Sequence, residues 1–162
     1  MALSKIDIEN MVTGELTTTN GGTGATSFSA GKVLQVIHSS TDFDSSSSGN
    51  LELYNASITP SATSSKVLVL FSCAMQIDND EYAKISIYRG SLASGSAVFT
   101  LDDVAFHNAG NAIRTQVSGQ YLDSPSTTSS QQYSIVGINV GGVTMRYGAG
   151  ANNPITLIEI GA

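Results

Sequence analysis

Lys66-Val-Leu-Val-Leu-Phe-Ser-Cys-Ala-Met-Gln-Ile77 is the stretch whose reading decides the fold. Taken at every second residue, Val67, Val69, Phe71, Cys73, Met75 and Ile77 form an unbroken apolar line. The alternate line, Lys66, Leu68, Leu70, Ser72, Ala74 and Gln76, is apolar in one half and polar in the other. Successive side chains of a strand point to opposite faces, so the segment reads as a strand with one face on a core. A helix would scatter these residues round its circumference, and the β-branched and aromatic content also favours a strand. Leu68 and Leu70 stand where a solvated face would carry polar residues. They are expected to lie under a second sheet of the same subunit or at a threefold contact between copies.

Working outward, Tyr82–Arg89 returns across a tip at Asp78-Asn-Asp-Glu81, with Ala83, Ile85 and Ile87 facing inward. The two runs read as a long hairpin. Upstream, Val33–His38 is apolar on both faces, the polar run Asp42–Asn50 reads as a surface loop, and Leu51–Tyr54 alternates again. Pro60 ends a short edge, because proline cannot donate to a ladder. Downstream, Ala97–Leu101 is a short strand, Asp102–Asn111 is irregular, and Ile113–Leu122 carries Ile113, Thr115, Val117 and Tyr121 on one side. Asp123–Ser130 is turn-rich. Gln132–Val140, Val143–Tyr147 and Pro154–Ile160 complete the set, the last two separated by Gly148–Asn153. Eight or more short strands at roughly ten-residue spacing, with no helix-period segment after residue 31, predict an all-β, antiparallel sandwich or jelly roll.

The chain has 162 residues, 41% hydrophobic but only 12% charged. Charged residues usually make up about a quarter of a globular domain. Here the surface is built from hydroxyls and amides instead, with roughly a quarter of the chain Ser or Thr. The net charge of −6 argues against nucleic acid, which needs a basic surface. A single cysteine, Cys73, supplies neither an internal disulfide nor a cysteine metal site, and on the apolar line it reads as a small buried hydrophobe. The first residues lack the apolar run of a signal peptide, and nothing approaches the roughly 18 apolar residues of a membrane helix. The expectation is a protein made in a cytoplasm, without membrane insertion.

Residues 1–31 differ in character from the rest of the chain. Leu3, Ile6, Ile8 and Met11 are scattered, and Gly21, Gly22 and Gly24 sit in a Thr-rich run. These glycines do not make a phosphate-binding loop, because no apolar strand precedes them, no lysine follows and no helix opens after them. The run reads as an extended linker. Two parts are therefore expected: a short extended N-terminal segment over 1–31, and a β domain over 32–162.

Several segments together resemble the terminal domain of fibre and minor structural proteins of tailed bacteriophages, especially those infecting marine bacteria and cyanobacteria. They are Asn20-Gly-Gly-Thr-Gly-Ala25, Gly31-Lys-Val-Leu-Gln-Val36, and Ala56-Ser-Ile-Thr-Pro-Ser-Ala-Thr-Ser-Ser-Lys-Val-Leu-Val69. Ile87-Tyr-Arg-Gly-Ser91, Tyr121-Leu-Asp-Ser-Pro-Ser-Thr-Thr128 and Ile155-Thr-Leu-Ile-Glu-Ile-Gly-Ala162 continue the series, which runs over residues 20 to 162. The resemblance implies a virion protein assembling as a homotrimer, with its β domain distal to an attachment segment. Residues 1–31 would then dock on another virion protein of the tail, baseplate or capsid.

Chemistry is sparse. His38 lies in a doubly apolar strand, and His107 sits beside Asp102 and Asp103 in the irregular segment. No Gly-x-Ser-x-Gly turn supports a serine nucleophile, and two histidines with one cysteine do not make a zinc site. The tip Asp78-Asn-Asp-Glu81 lacks the spacing and central glycine of a calcium loop. No cofactor is expected, and no enzyme. Tyr82, Tyr88, Tyr121, Tyr133 and Tyr147 are amphipathic residues suited to interfaces or sugar stacking. Recognition usually lives on loops carried by a rigid scaffold, so the candidate receptor-facing residues are Asp42, Asp44, Asp78, Asp80, Glu81, Asp123 and Thr127. The partner there would be a host surface glycan or protein. Three functions are in view: a tail fibre contributing to host attachment, a capsid-mounted head fibre or decoration protein, and a glycan depolymerase built on an acid pair.

Overall fold

In the computed structural model, residues 31–77, 82–106, 113–140 and 144–161 are described. Eight strands follow one another: β1 (Val33–Ser47), β2 (Leu51–Ile58), β3 (Lys66–Ile77), β4 (Tyr82–Arg89), β5 (Ser96–Phe106), β6 (Ile113–Asp123), β7 (Gln131–Asn139) and β8 (Met145–Ile160). They form two four-stranded sheets, ordered β1-β8-β3-β6 and β2-β7-β4-β5, and all their strand pairs are antiparallel. Four of those pairs, β1 with β8, β2 with β7, β3 with β6 and β4 with β5, are the rungs of one long ribbon folded back on itself. Wrapping that ribbon adds β3–β8 and β4–β7. This order is a jelly roll, two four-stranded antiparallel sheets face to face.

The core lies between the sheets. From the first come Val67, Val69, Phe71, Cys73, Met75, Val117, Met145, Tyr147, Ile155 and Leu157, and from the second Tyr54, Ala56, Ile58, Ala83, Ile85, Ile87, Tyr133 and Ile135. The alternation in β3 is borne out, and its polar-to-apolar second line forms part of the outer face of the first sheet. One open edge of the sandwich is closed by Phe99 of β5 stacking on Tyr121 of β6, with centroids 5.5 Å apart and planes at 19°.

Three sequence expectations are corrected. The polar run from Asp42 is not a loop: β1 continues to Ser47, leaving only residues 48–50 as the turn, because every residue of β1 from Asp42 on, except Asp44, finds a partner in β8. The segment after Leu101 stays in β5 to Phe106. The glycine-rich stretch after Tyr147 does not divide two strands. Gly148 has φ +83, a left-handed value open to glycine, and the register shifts beside it while β8 runs on.

Strand direction sorts the connections into two ends. Ser47, Met145, Ile77 and Ile113 lie in register at one end of the first sheet, so the β1–β2, β3–β4, β5–β6 and β7–β8 connections leave from there. At the other end the chain enters β1, β8 finishes, and the connections 59–65, 90–95 and 124–130 turn. We call this second end the base.

Candidate functional site

The outer face of the β1-β8-β3-β6 sheet can be read row by row from the register. Val36 pairs with Ile158, Ile158 with Leu68, and Leu68 with Leu122. These four apolar residues make one line straight across all four strands. The next row is His38, Thr156, Leu70 and Gln120, and beyond it lie Ser40 beside Pro154 and Ser72 beside Ser118. At the far end Arg146 and Arg114 flank Gln76. The face thus passes from apolar at the base, through hydroxyls and amides, to charge.

The apolar end is open. Val33 is 63% exposed, Leu34 46%, Val36 54% and Leu122 45%, and these are the large hydrophobics left exposed among the described residues. All four belong to this one end of the first sheet. Gly161 donates its backbone N–H to the Lys32 carbonyl, and a Cβ at Gly161 would come within 3.1 Å of Leu34. Leu68 and Leu70 are half-buried on the same face. The second sheet packs against the opposite side, so cover by a second sheet of their own subunit is not what is found.

Behind this row, on the inner face, two carboxylates are buried. Glu159 and Asp123 flank Val67 in register, and they are 0% and 2% exposed. Glu159 accepts from the Ser61 N–H at 2.7 Å, the Ser61 hydroxyl at 2.6 Å and Gln35 Nε2 at 2.6 Å, tying β8 to β1 and to the β2–β3 connection. Burial opposes its charge, but the bonds from Ser61 and Gln35 outweigh that and hold the carboxyl down at about 2. Asp123 accepts from Arg89 Nε at 2.8 Å and from the Tyr133 hydroxyl at 2.6 Å, and pairs with the second arm of the Arg89 guanidinium. Arg89 and Tyr133 belong to the other sheet, so this cluster clamps the two sheets at the base. The Asp123 carboxylate raises the Arg89 pKa, while burial and then the bond to Asp123 push the Tyr133 phenol up.

The remaining described carboxylates with assigned partners are also structural in character. Asp44 pairs with Arg146, whose hydrogen bond lowers the Asp44 pKa. Asp102 pairs with Lys84. Glu52 accepts from the Leu92 N–H at 2.8 Å, Gln132 Nε2 at 3.2 Å and the Ser134 hydroxyl at 3.1 Å.

The receptor-facing candidates are dispersed by this geometry. Asp42 and Asp44 are exposed, on the strand β1 rather than a loop. Asp78, Asp80 and Glu81 lie outside the described residues, as does His107. Asp123 is corrected outright: it closes β6, buried, because its charge is used on Arg89 and Tyr133. Thr127 is half-buried in the connection at the base, at the opposite end from the β1–β2 turn. His38 is exposed, its Nδ1 2.9 Å from the Thr156 hydroxyl, because β1 is an edge strand and not a doubly covered one. Tyr133 and Tyr147 are buried in the core, while Tyr88 is half-buried and Tyr121 is taken up by its stack on Phe99. Cys73 is buried and its thiol is pushed up to about 12 by burial.

Sequence reasoning found Leu68 but not the row that it completes. The signal was present in Val33–His38, whose apolarity on both faces left one face unaccounted for.

No protein-family model matches this sequence, and no curated protein matches it. Among solved structures, the chain is similar to the VP2 subviral particle protein of infectious bursal disease virus, at 10% identity and a TM-score of 0.44, over 79% of this chain and 40% of that one. A chain in the structure of the Gx strain of the same virus is 16% identical, with a TM-score of 0.41 over 78% of this chain and 36% of that one. This chain therefore spans well under half the length of either. The jelly-roll assignment rests on the strand order above.

Proposed function

We propose that this chain is a structural, non-catalytic virion protein: a phage tail fibre whose homotrimeric jelly roll contributes to host-cell attachment. The observation that carries the reading is the polarity of the domain. Its exposed apolar residues gather at the base, where the chain enters β1, and the β1–β2, β3–β4, β5–β6 and β7–β8 connections leave from the other end. An attachment module needs that separation, with one end free for assembly and the other for recognition. The sequence resemblance to fibre proteins of tailed phages, running over residues 20 to 162, supports the same reading. In it residues 1–31 anchor the protein on the particle, and the end opposite the base meets a glycan or protein of the host surface. A capsid-mounted head fibre with the same domain is the second reading, differing in where residues 1–31 dock.

Competition tests this. The purified 162-residue chain, added in excess, should lower the adsorption of the phage that carries it to its host cells. A folded trimer that binds no cells and leaves adsorption unchanged would reject tail-fibre attachment and favour the capsid reading.

A further inference from the structure

We infer that the outer face of the β1-β8-β3-β6 sheet is the surface through which copies of this chain associate, centred on the row Val36–Ile158–Leu68–Leu122. The inference rests on the homotrimeric reading for the number of copies, but the surface is argued from the face itself.

Size comes first. Four strands at about 4.8 Å spacing are about 19 Å wide, and twelve residues at about 3.4 Å are about 41 Å long, together roughly 800 Å². A standard interface takes about 800 Å² from each partner, and the face taken whole, its charged end at Arg114 and Arg146 included, is of that size. Composition comes second. The apolar row is bordered on one side by His38, Thr156 and Gln120 and on the other by Ile160 and Lys66, with Ser72 and Ser118 beyond, an arrangement of apolar contact with a polar surround that stable interfaces share.

Charge decides the occupant. The chain carries a net charge of −6, so two copies repel wherever charged surface meets charged surface. From the row of Lys66 and Ile160 through the rows of Val36, His38 and Ser40, this face presents no Asp or Glu, and its one charge is Lys66. A partner chosen by complementarity to an acidic protein would seek its charges. A second copy is best placed where carboxylates are absent. The row also runs from one edge strand to the other, with Val36 on β1 and Leu122 on β6. The β1 side of this face on one copy can therefore meet the β6 side of the face on the next, the head-to-tail contact that closes a ring.

The test is the mass of the full-length chain by light scattering at micromolar concentration. The wild type should have three times the chain mass. Val36→Glu with Leu122→Glu, both at exposed positions, should give a folded monomer with an unchanged far-UV circular dichroism spectrum. Ser57→Glu with Ser96→Glu adds the same charge on the other sheet and should leave the trimer intact. A wild-type trimer that survives Val36→Glu with Leu122→Glu would overturn this surface while leaving the trimer standing. A wild-type monomer would overturn both.

Discussion

Asp123 and Glu159 are buried carboxylates in the same register row, yet they are held by different chemistry. Asp123 has a guanidinium and a phenol, whereas the assigned donors to Glu159 are neutral: a hydroxyl, an amide and a backbone N–H. Asp123→Asn should cost about 2–3 kcal/mol in urea unfolding, since it leaves the partly exposed Arg89 without its charged acceptor. Glu159→Gln should cost about 1–3 kcal/mol at pH 7, because an amide N–H would face the Gln35 or Ser61 donors. The sign with pH follows from the direction of the shift. The folded carboxyl titrates at about 2 against an ordinary 4.5, so the unfolded chain binds a proton first. The stabilisation is complete above about 4.5 and is lost as pH falls through about 2. The stability gap between wild type and Glu159→Gln should therefore be smaller at pH 3 than at pH 7. A gap independent of pH would mean that Glu159 is not charged in the fold. Neither cluster was legible in the sequence, where Arg89 and Asp123 are 34 residues apart and Ser61 and Glu159 98.

Among the elements, β3 and β4 were legible because their inward lines are unbroken. Ile85→Ala should cost about 2–5 kcal/mol, as loss of a fully buried side chain does. Lys84→Ala, which removes a half-exposed pair with Asp102, should stay within about 1 kcal/mol. Equal losses would put the register of β4 off by one. β1 and β8 were read too short. Polar residues on an outer face look like a loop, and a glycine-rich bulge looks like a break, until the partner strand is known. The close approach at Gly137 gives an independent check on the packing between β7 and β8. A Cβ there would lie 2.4 Å from the Tyr147 ring, so Gly137→Ala should destabilise by about 1–3 kcal/mol through overpacking. A neutral result in thermal unfolding would show that Tyr147 moves aside at no cost.

For the whole molecule, the fold class was legible because turn chemistry and period-two patterning agree along the chain. Strand order was not, since sequence patterning does not say which faces meet. The candidate surface was half legible. Leu68 announced it by standing on the wrong side of its strand, but Val36, Ile158 and Leu122 joined it only through the register. The expected recognition loops are also split, because the connection after Asp123 turns at the base while the β1–β2 turn lies at the other end, and Asp78–Glu81 lies outside the described residues. In the proposed tail-fibre reading, recognition is assigned to the end away from the base, and residues 1–31 to the particle. The most direct measurement of that assignment is electron microscopy of intact particles labelled with a gold-conjugated antibody against the full chain. A tail fibre predicts gold confined to the tail, held away from its axis; gold distributed over the capsid would contradict it.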